Sequence, residues 1–524
     1  MIQSVNQSSL YSTRKILLWG MAFFSTYLSA QDSLIIGQEA VYKDEVISNP
    51  HIAFQRSFPN YTETAVQLNT KNSRFNRVQT AESTYDFYFS SKGLFKINPK
   101  LFISGNIDFH KIKEKQVGNI LLEERTDNQF AVNKPYYYVS RKGDWDKQQY
   151  HLRGTIAYQP FSNIVFQAMA DGYYDENYRN IDARPKVQNV NYEFAFKAGY
   201  TFRKHQLLAF VGYQDFHKDY HIFYENPELN NIITYPDTFL TWNQGYGNNY
   251  VSNSTSGIIR NVYKQQGNYL GADYIFYGKS SLLKLSYQNK YSLLKTYDDF
   301  ILNSNKKELA LRTETDKFSV FFRQAGQSKI WETLLMASSS SSINFNYTKQ
   351  ASSNRQINEE AGIKTHLFLL KNNGETTRLG FGAKTGKFST KDLSVFLDKN
   401  IYYAAFSLAY GQDFKLSPKN KFYYNIEGNL YLPLKHKFDY KPYQNVRNNQ
   451  FVDSVASPDH FYDTSTRCQP FLELGLDTTR KSYMWRLFVN TSTTFFISNQ
   501  NFKVPHPFNK QQSITWNIGL KIYN

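Results

Sequence analysis

Apolar and polar residues alternate one by one along almost the whole chain, and no other feature restricts its fold so tightly. Leu101, Ile103, Gly105, Ile107 and Phe109 interleave with Phe102, Ser104, Asn106, Asp108 and His110. Val190, Tyr192, Phe194, Phe196, Ala198, Tyr200 and Phe202 interleave with Asn191, Glu193, Ala195, Lys197, Gly199 and Thr201. Leu472, Leu474 and Leu476 alternate with Phe471, Glu473, Gly475 and Asp477. The last stretch sets Ile514, Trp516, Ile518, Leu520 and Ile522 against Thr515, Asn517, Gly519, Lys521 and Tyr523. Successive side chains of an extended strand leave on opposite faces, so period two predicts strands with two unlike faces. Helical spacing persists nowhere beyond two turns.

The connections carry as much information as the strands. Short polar turns fall at Asn98-Pro99-Lys100, Pro160-Phe161-Ser162-Asn163, Arg203-Lys204-His205 and Gly278-Lys279-Ser280. Four more fall at Ala325-Gly326-Gln327, Asn372-Asn373-Gly374, Ser417-Pro418-Lys419-Asn420 and Thr478-Thr479-Arg480. Between them run longer polar connections, at 70–82, 114–147, 179–187, 221–265, 295–306, 349–355, 390–399, 434–465 and 497–511. Eight hairpins give sixteen strands, and segments near Tyr61–Asn69 and Ser513–Asn524 make eighteen. Ser338–Ser342 blurs the register within 307–348, so the expectation is 16–18 strands. Short turns alternating with long loops mark an all-β, transmembrane antiparallel β-barrel, with short periplasmic turns and long extracellular loops. Within lipid no backbone N–H or C=O meets water, so strands cross only as a closed sheet.

Composition agrees. Hydrophobic residues make up 41% and charged residues 20%, while aromatics reach 17%. A barrel needs an apolar outside only, and rings gather at its two water–lipid borders. A secreted sandwich, β-helix or propeller would also give period two. Propellers and solenoids repeat a motif every ~20–50 residues, and no such recurrence is present.

Residues 1–30 have the order of an export leader: Arg14 and Lys15, the apolar run Ile16 to Leu28, then Ser29-Ala30 as a cleavage site. The apolar run is too short for a membrane anchor. Cys468 is the single cysteine, which excludes an internal disulfide and a cysteine-based zinc cluster. Residues 31–60 form a periplasmic or luminal N-terminal segment, and 61–524 the barrel. As a luminal hatch, this segment would touch the wall through Phe54, Arg56 and Phe58.

The Ala30-Gln31 junction, the Asn-, Tyr- and Lys-rich strands and the strand-final ending resemble outer-membrane barrels of Bacteroidota. In particular they resemble an uncharacterised barrel family with no assigned function. Ser48-Asn49-Pro50-His51 is similar to the Asn-Pro-Ala element that opens fatty-acid-transporter and secretion-shuttle barrels, with His51 in place of Ala. The resemblance implies an outer-membrane location and partnership with an energy-coupled receptor. It implies no catalytic residues.

Two sets of residues are candidates for function. The 221–265 loop carries Tyr224, Tyr235, Phe239, Trp242, Tyr246 and Tyr250 among amides. Rings with amides suit a sugar or an apolar ligand, so Tyr235, Phe239, Trp242, Tyr246 and Tyr250 are the ligand-binding candidates. The alternative is a lid whose rings pack on one another. Asp108, His110, Glu193, Lys197, Glu427, Glu473, Asp477 and Lys521 fall on the inward phase and are candidates for a luminal charge filter, or for pairs that stiffen the wall. The 434–465 loop, with His436, Asp439, Asp453, Asp459 and His460, reads as solvated, without metal-ligand spacing. The same-face pairs Asp108/His110 and Asp215/His217 are the only hints of catalysis. No Gly-x-Ser-x-Gly turn or phosphate loop is present.

No cofactor or metal is expected. The net charge of +17 is dispersed, so nucleic acid is not an expected partner. Outer-membrane lipid, glycolipid phosphate, anionic solutes and another envelope protein are. The reading is a channel or receptor accessory for solute uptake or export across the outer membrane. A barrel that docks partner proteins is the alternative, and a hydrolase the third.

Overall fold

Eighteen strands form one sheet that closes on itself. The computed structural model describes residues 40–56, 58–121, 135–230, 234–235, 237–238, 240–244, 247–251, 258–298, 306–347, 350–441, 451–480, 483–498 and 512–524. The first barrel strand, Tyr61–Ser73, pairs with the second, Ser83–Asn98, and also with the last, Gln512–Tyr523. Glu63 stands opposite Tyr523 and Ser73 opposite Ser513. Thr62 and Asn524 exchange backbone hydrogen bonds of 2.9 and 3.1 Å beyond that ladder. Every barrel strand is antiparallel to its sequence neighbour, so the ring has no open edge.

Eighteen is the upper end of the expected range, and the doubtful stretch resolves into Lys306–Ala325 and Lys329–Asn346, with Ser338 opposite Lys317. Barrel strands run from 12 to 20 residues, longer than the ~9–11 that cross a bilayer. The surplus explains two misread connections. Residues 179–187 and 390–399 read as loops because they are polar. Instead, strands Ile164–Arg179 and Arg184–Phe202 leave only 180–183 between them, and Thr376–Asp392 and Leu397–Lys415 leave 393–396. Above the lipid the strands keep pairing, with water-compatible side chains such as Lys391 opposite Asp398.

The outward phase is predominantly apolar, with polar breaks such as Asp316, Ser339 and Glu359. Leu152, Phe194, Val211, Leu270, Leu408 and Ile518 are all exposed large hydrophobics. Outward rings Tyr150 and Tyr158, and Tyr192 and Tyr200, lie on single strands eight residues apart. That is ~26 Å along a strand, or ~20 Å of height at a ~40° tilt, close to the ~25 Å apolar band of such barrels.

Among the described residues, three larger elements lie apart from the barrel wall, besides a 3-10 turn at Pro227–Asn230. Helix α1, Ala40–Ser48, runs into a 3-10 turn at Pro50–Phe54. A small three-stranded sheet comprises Pro135–Tyr138, Thr241–Gln244 and Gly247–Val251. Helix α2, Ser457–Asp463, follows a π-turn at Val452–Ala456. The 434–465 connection is therefore not a solvated loop: Phe451, Val455, Asp459, His460, Phe461 and Asp463 are buried.

Candidate functional site

Residues 40–56 enter the lumen at the end that carries the short turns. Their apolar side chains, Tyr42, Val46, Ile47 and Ile52, pack with Tyr61, Leu94, Phe102, Val165, Ile275 and Tyr523, each inward-facing and near a turn or terminus. Phe54 meets Phe102 at 4.9 Å, and Phe58 meets Tyr42 at 5.9 Å. Arg56 donates to the backbone carbonyls of Gly278, Lys279 and Ser281 in one turn.

Polar contacts fan out around the ring. Lys43 reaches Glu63 at 2.8 Å, Asp44 accepts from Lys92 at 2.9 Å, and Glu45 from Lys284 at 2.6 Å. Ser104 donates to the Ile47 carbonyl at 2.6 Å, and Lys197 to Asn49 at 2.9 Å. His51 Nδ1 donates to the Gln167 side-chain oxygen at 2.7 Å. These partners sit on six different strands, so the segment occupies the lumen rather than lying against one wall. Burial, with Lys197 nearby, depresses the His51 pKa to about 3, so the imidazole is neutral. Its buried Nε2 has no hydrogen-bond partner among the described residues.

The opposite mouth is covered by two inserts. The small sheet lays Tyr136, Tyr137 and Trp242, with the adjoining Leu240, onto the inward residues Tyr220, Tyr263, Leu294 and Leu309. Asn261 donates to the Tyr137 hydroxyl at 2.6 Å. Helix α2 is held by charge. The Arg77 guanidinium grips Asp463 through three contacts of 2.6 to 3.0 Å, and Lys399 donates to the same carboxylate at 2.7 Å. Burial alone would raise the Asp463 pKa, but the two cations outweigh it and hold the carboxyl at about 2. Asp459 accepts from the Val78 backbone at 2.9 Å, and burial lifts its pKa to about 6. The two inserts meet where Tyr138 packs on Phe451, 5.2 Å between centroids.

Below this roof lies a cavity of about 860 Å³. Its wall is made by small inward residues, among them Ser338, Gly362, Gly382, Ala405 and Ser407. Lys317, Lys364, Lys384, Glu360 and Glu427 project into it, and Tyr462 and Arg467 border it from the roof side. Arg467 lies between the rings of Tyr431 and Tyr462, 4.2 Å from each centroid.

Across the ring the charge reverses. Asp86, Asp108, Asp171 and Glu193 face inward on Ser83–Asn98, Leu101–Val117, Ile164–Arg179 and Arg184–Phe202. His151 bridges Asp108 at 3.0 Å and Asp171 at 2.9 Å. It sits nine strands round the ring from Lys384, on the opposite wall.

All eight residues read as luminal charges fall on the inward register, and most are engaged with the wall. Asp108 binds Tyr88, Asn106 and His151, whereas His110 turns to Asp86 at 3.0 Å and stacks on Tyr88. Glu193 accepts from Tyr269 at 2.9 Å, Lys197 pairs with Asp273 at 2.8 Å, and Asp477 takes two bonds of 2.7 Å from Arg486. Glu473 accepts from Asn490 at 3.2 Å, and Lys521 lies over the Phe488 ring at 5.2 Å. Of the eight, Glu427 alone lines the cavity.

Among the proposed ligand rings, Trp242 is 5% exposed and packs in the apolar cluster of the insert, the lid arrangement. Tyr235 is half-buried, and its carbonyl accepts from Thr238. Tyr250 stands opposite Trp242 in the small sheet. Phe239 and Tyr246 lie outside the described residues. Sequence reasoning missed Lys317, Lys364, Lys384 and Arg467. The signal for the three lysines was their inward phase, hidden by the blurred register next to them. Among the described residues no cluster of three or more His, Cys, Asp or Glu could hold a metal.

A family model described as "Family of unknown function (DUF6850)" matches residues 50–524. No curated protein matches by sequence. Among solved structures, the chain is similar to BauA, the ferric preacinetobactin receptor from Acinetobacter baumannii, with 7% identity, 89% of this chain and 80% of that one covered, and a TM-score of 0.37. The outer membrane transporter YddB from Escherichia coli gives 8% identity, coverage of 90% and 81%, and 0.37. The unliganded ferric citrate transporter FecA gives 8%, coverage of 88% and 78%, and 0.36. At these scores nothing about cargo passes from them to this chain.

Proposed function

Because the chain belongs to that family, to which no function is assigned, we propose a role from the lumen itself: an outer-membrane barrel that passes a small polar solute through a gated interior. The observation that carries this reading is the charged cavity of about 860 Å³ beneath the roof, with the segment 40–56 held across the other end by side-chain contacts. A barrel serving only as a docking post has no need of an interior volume lined by charged side chains. Pockets for small ligands are of this size, ~300–1,000 Å³.

The leader at 1–30 would bring the chain to the envelope. Its partners there are lipid, glycolipid and an envelope protein able to displace residues 40–56. No catalytic step and no cofactor enter the reading. Swelling of proteoliposomes in isotonic small solutes tests it. The full chain swells slowly, and a form lacking residues 31–58 swells faster by an order of magnitude or more. A folded barrel that admits no solute in either form supports protein docking instead.

A further inference from the structure

We propose that the cavity is a binding site for a small solute bearing two or more oxyanion groups, carboxylate or phosphate, held by Lys317 and Lys364. The proposal deepens the transport reading by naming the chemistry of what the lumen accepts.

Unpaired charge is the first ground. Nearby inward lysines have carboxylate partners: Lys384 with Glu360 at 2.6 Å, Lys290 with Glu193 at 3.7 Å, Lys284 with Glu45 and Lys197 with Asp273. Lys317 and Lys364 have none among the described residues, and both are exposed although they face inward. With Lys384 and Arg467 the cavity holds four cations against the two carboxylates Glu360 and Glu427. A surplus of positive charge inside a low-dielectric wall draws in anions.

Shape is the second ground. Lys317 stands opposite Ser338, and Lys364 opposite Gly382. Small neighbours leave the lysine ends free to reach a solute instead of packing on a ring. The two lysines are two strands apart and four residues out of step, Lys317 being level with Glu360, so their Cα atoms stand ~16 Å apart; their long side chains converge from that span on a solute with separated oxyanions. The wall strand Thr466–Arg480 adds a donor of fixed position next to the roof. Arg467, clamped between Tyr431 and Tyr462, keeps its planar guanidinium in place, and such a group suits carboxylate or phosphate. Glu427 and Asn429 on the far side of the same cavity offer acceptors for hydroxyl groups on the solute.

The test is calorimetric titration of the full chain in nanodiscs with citrate, fructose 1,6-bisphosphate and spermine, at low and high salt. Citrate and the bisphosphate separate the carboxylate and phosphate sources. At least one binds, more weakly at high salt, and spermine does not. Lys317→Gln with Lys364→Gln lowers that affinity ~10–100-fold, the loss of two solvent-exposed hydrogen-bonded contacts at the ordinary net strength. Lys419→Gln, in an exposed turn, leaves it unchanged. Equal binding by the double variant, an equal loss in Lys419→Gln, or failure of both anions to bind overturns the proposal. Anion binding without solute passage in the swelling assay keeps the site and removes the transport reading. Swelling in neutral solutes without anion binding does the reverse.

Discussion

Asp463 is the most exacting place to perturb the roof. Its carboxylate receives Arg77 and Lys399, and all three side chains are almost fully buried. Asp463→Asn keeps the shape and removes the charge, leaving two buried cations without their counter-ion. Breaking a buried pair from one side costs about 3–5 kcal/mol. The penalty falls on α2 and its neighbours, because none of the barrel's own strand pairing passes through that carboxylate. At ~1.4 kcal/mol per decade, even the lower figure raises the open population of the insert ~100-fold. Hydrogen exchange followed by mass spectrometry reads this directly as lost protection over 451–466, with barrel strands such as Thr376–Asp392 unchanged. A second substitution, Lys399→Met, removes one stranded cation and restores part of the protection. Exchange within threefold of the parent at 451–466 would refute the assignment of Asp463 as the latch.

Other consequences are as specific. His51 is neutral when buried, with its pKa depressed to about 3. An exposed imidazole titrates near ~6.5. Between these values the released segment binds the extra proton, so stability of the seated segment falls as pH drops. At pH 5 the loss is ~2 kcal/mol, seen as acid-induced conductance that His51→Gln abolishes. A Cβ at Gly105 would stand 2.6 Å from the Arg153 carbonyl oxygen, whereas one at its partner Gly154 meets nothing within 4 Å. Gly105→Ala therefore costs ~1–3 kcal/mol in thermal unfolding of the barrel, and Gly154→Ala costs less than ~1 kcal/mol.

The barrel was legible because period two survives in most of the strands that lipid touches: a cationic side chain turned outward at mid-membrane costs ~2–4 kcal/mol. It faded where the lipid ends. At Lys186 and Lys391 the ladder continues under polar side chains, and polarity alone was mistaken for a loop. The inward phase was readable at Asp108, Glu193 and Asp477 because apolar neighbours flank them. At Lys317 it was not, since the facing strand carries serine on both phases from Ser338 to Ser342. The roof was not visible at all. Arg77, Lys399 and Asp463 lie far apart in sequence, and α2 is too short to show a helical period. Trp242 shows the converse: an aromatic loop suggests a ligand, yet the same rings also serve to seat the loop on the wall.

Single-channel conductance across a planar bilayer tests the central claim most directly, comparing the full chain with Lys43→Gln/Glu45→Gln, which loosens residues 40–56 from Glu63 and Lys284. The account predicts a nearly silent full chain and frequent openings in the variant, with anions carrying more of the current. Equal, steady conductance in both forms would contradict it, because the segment would then not be what closes the path.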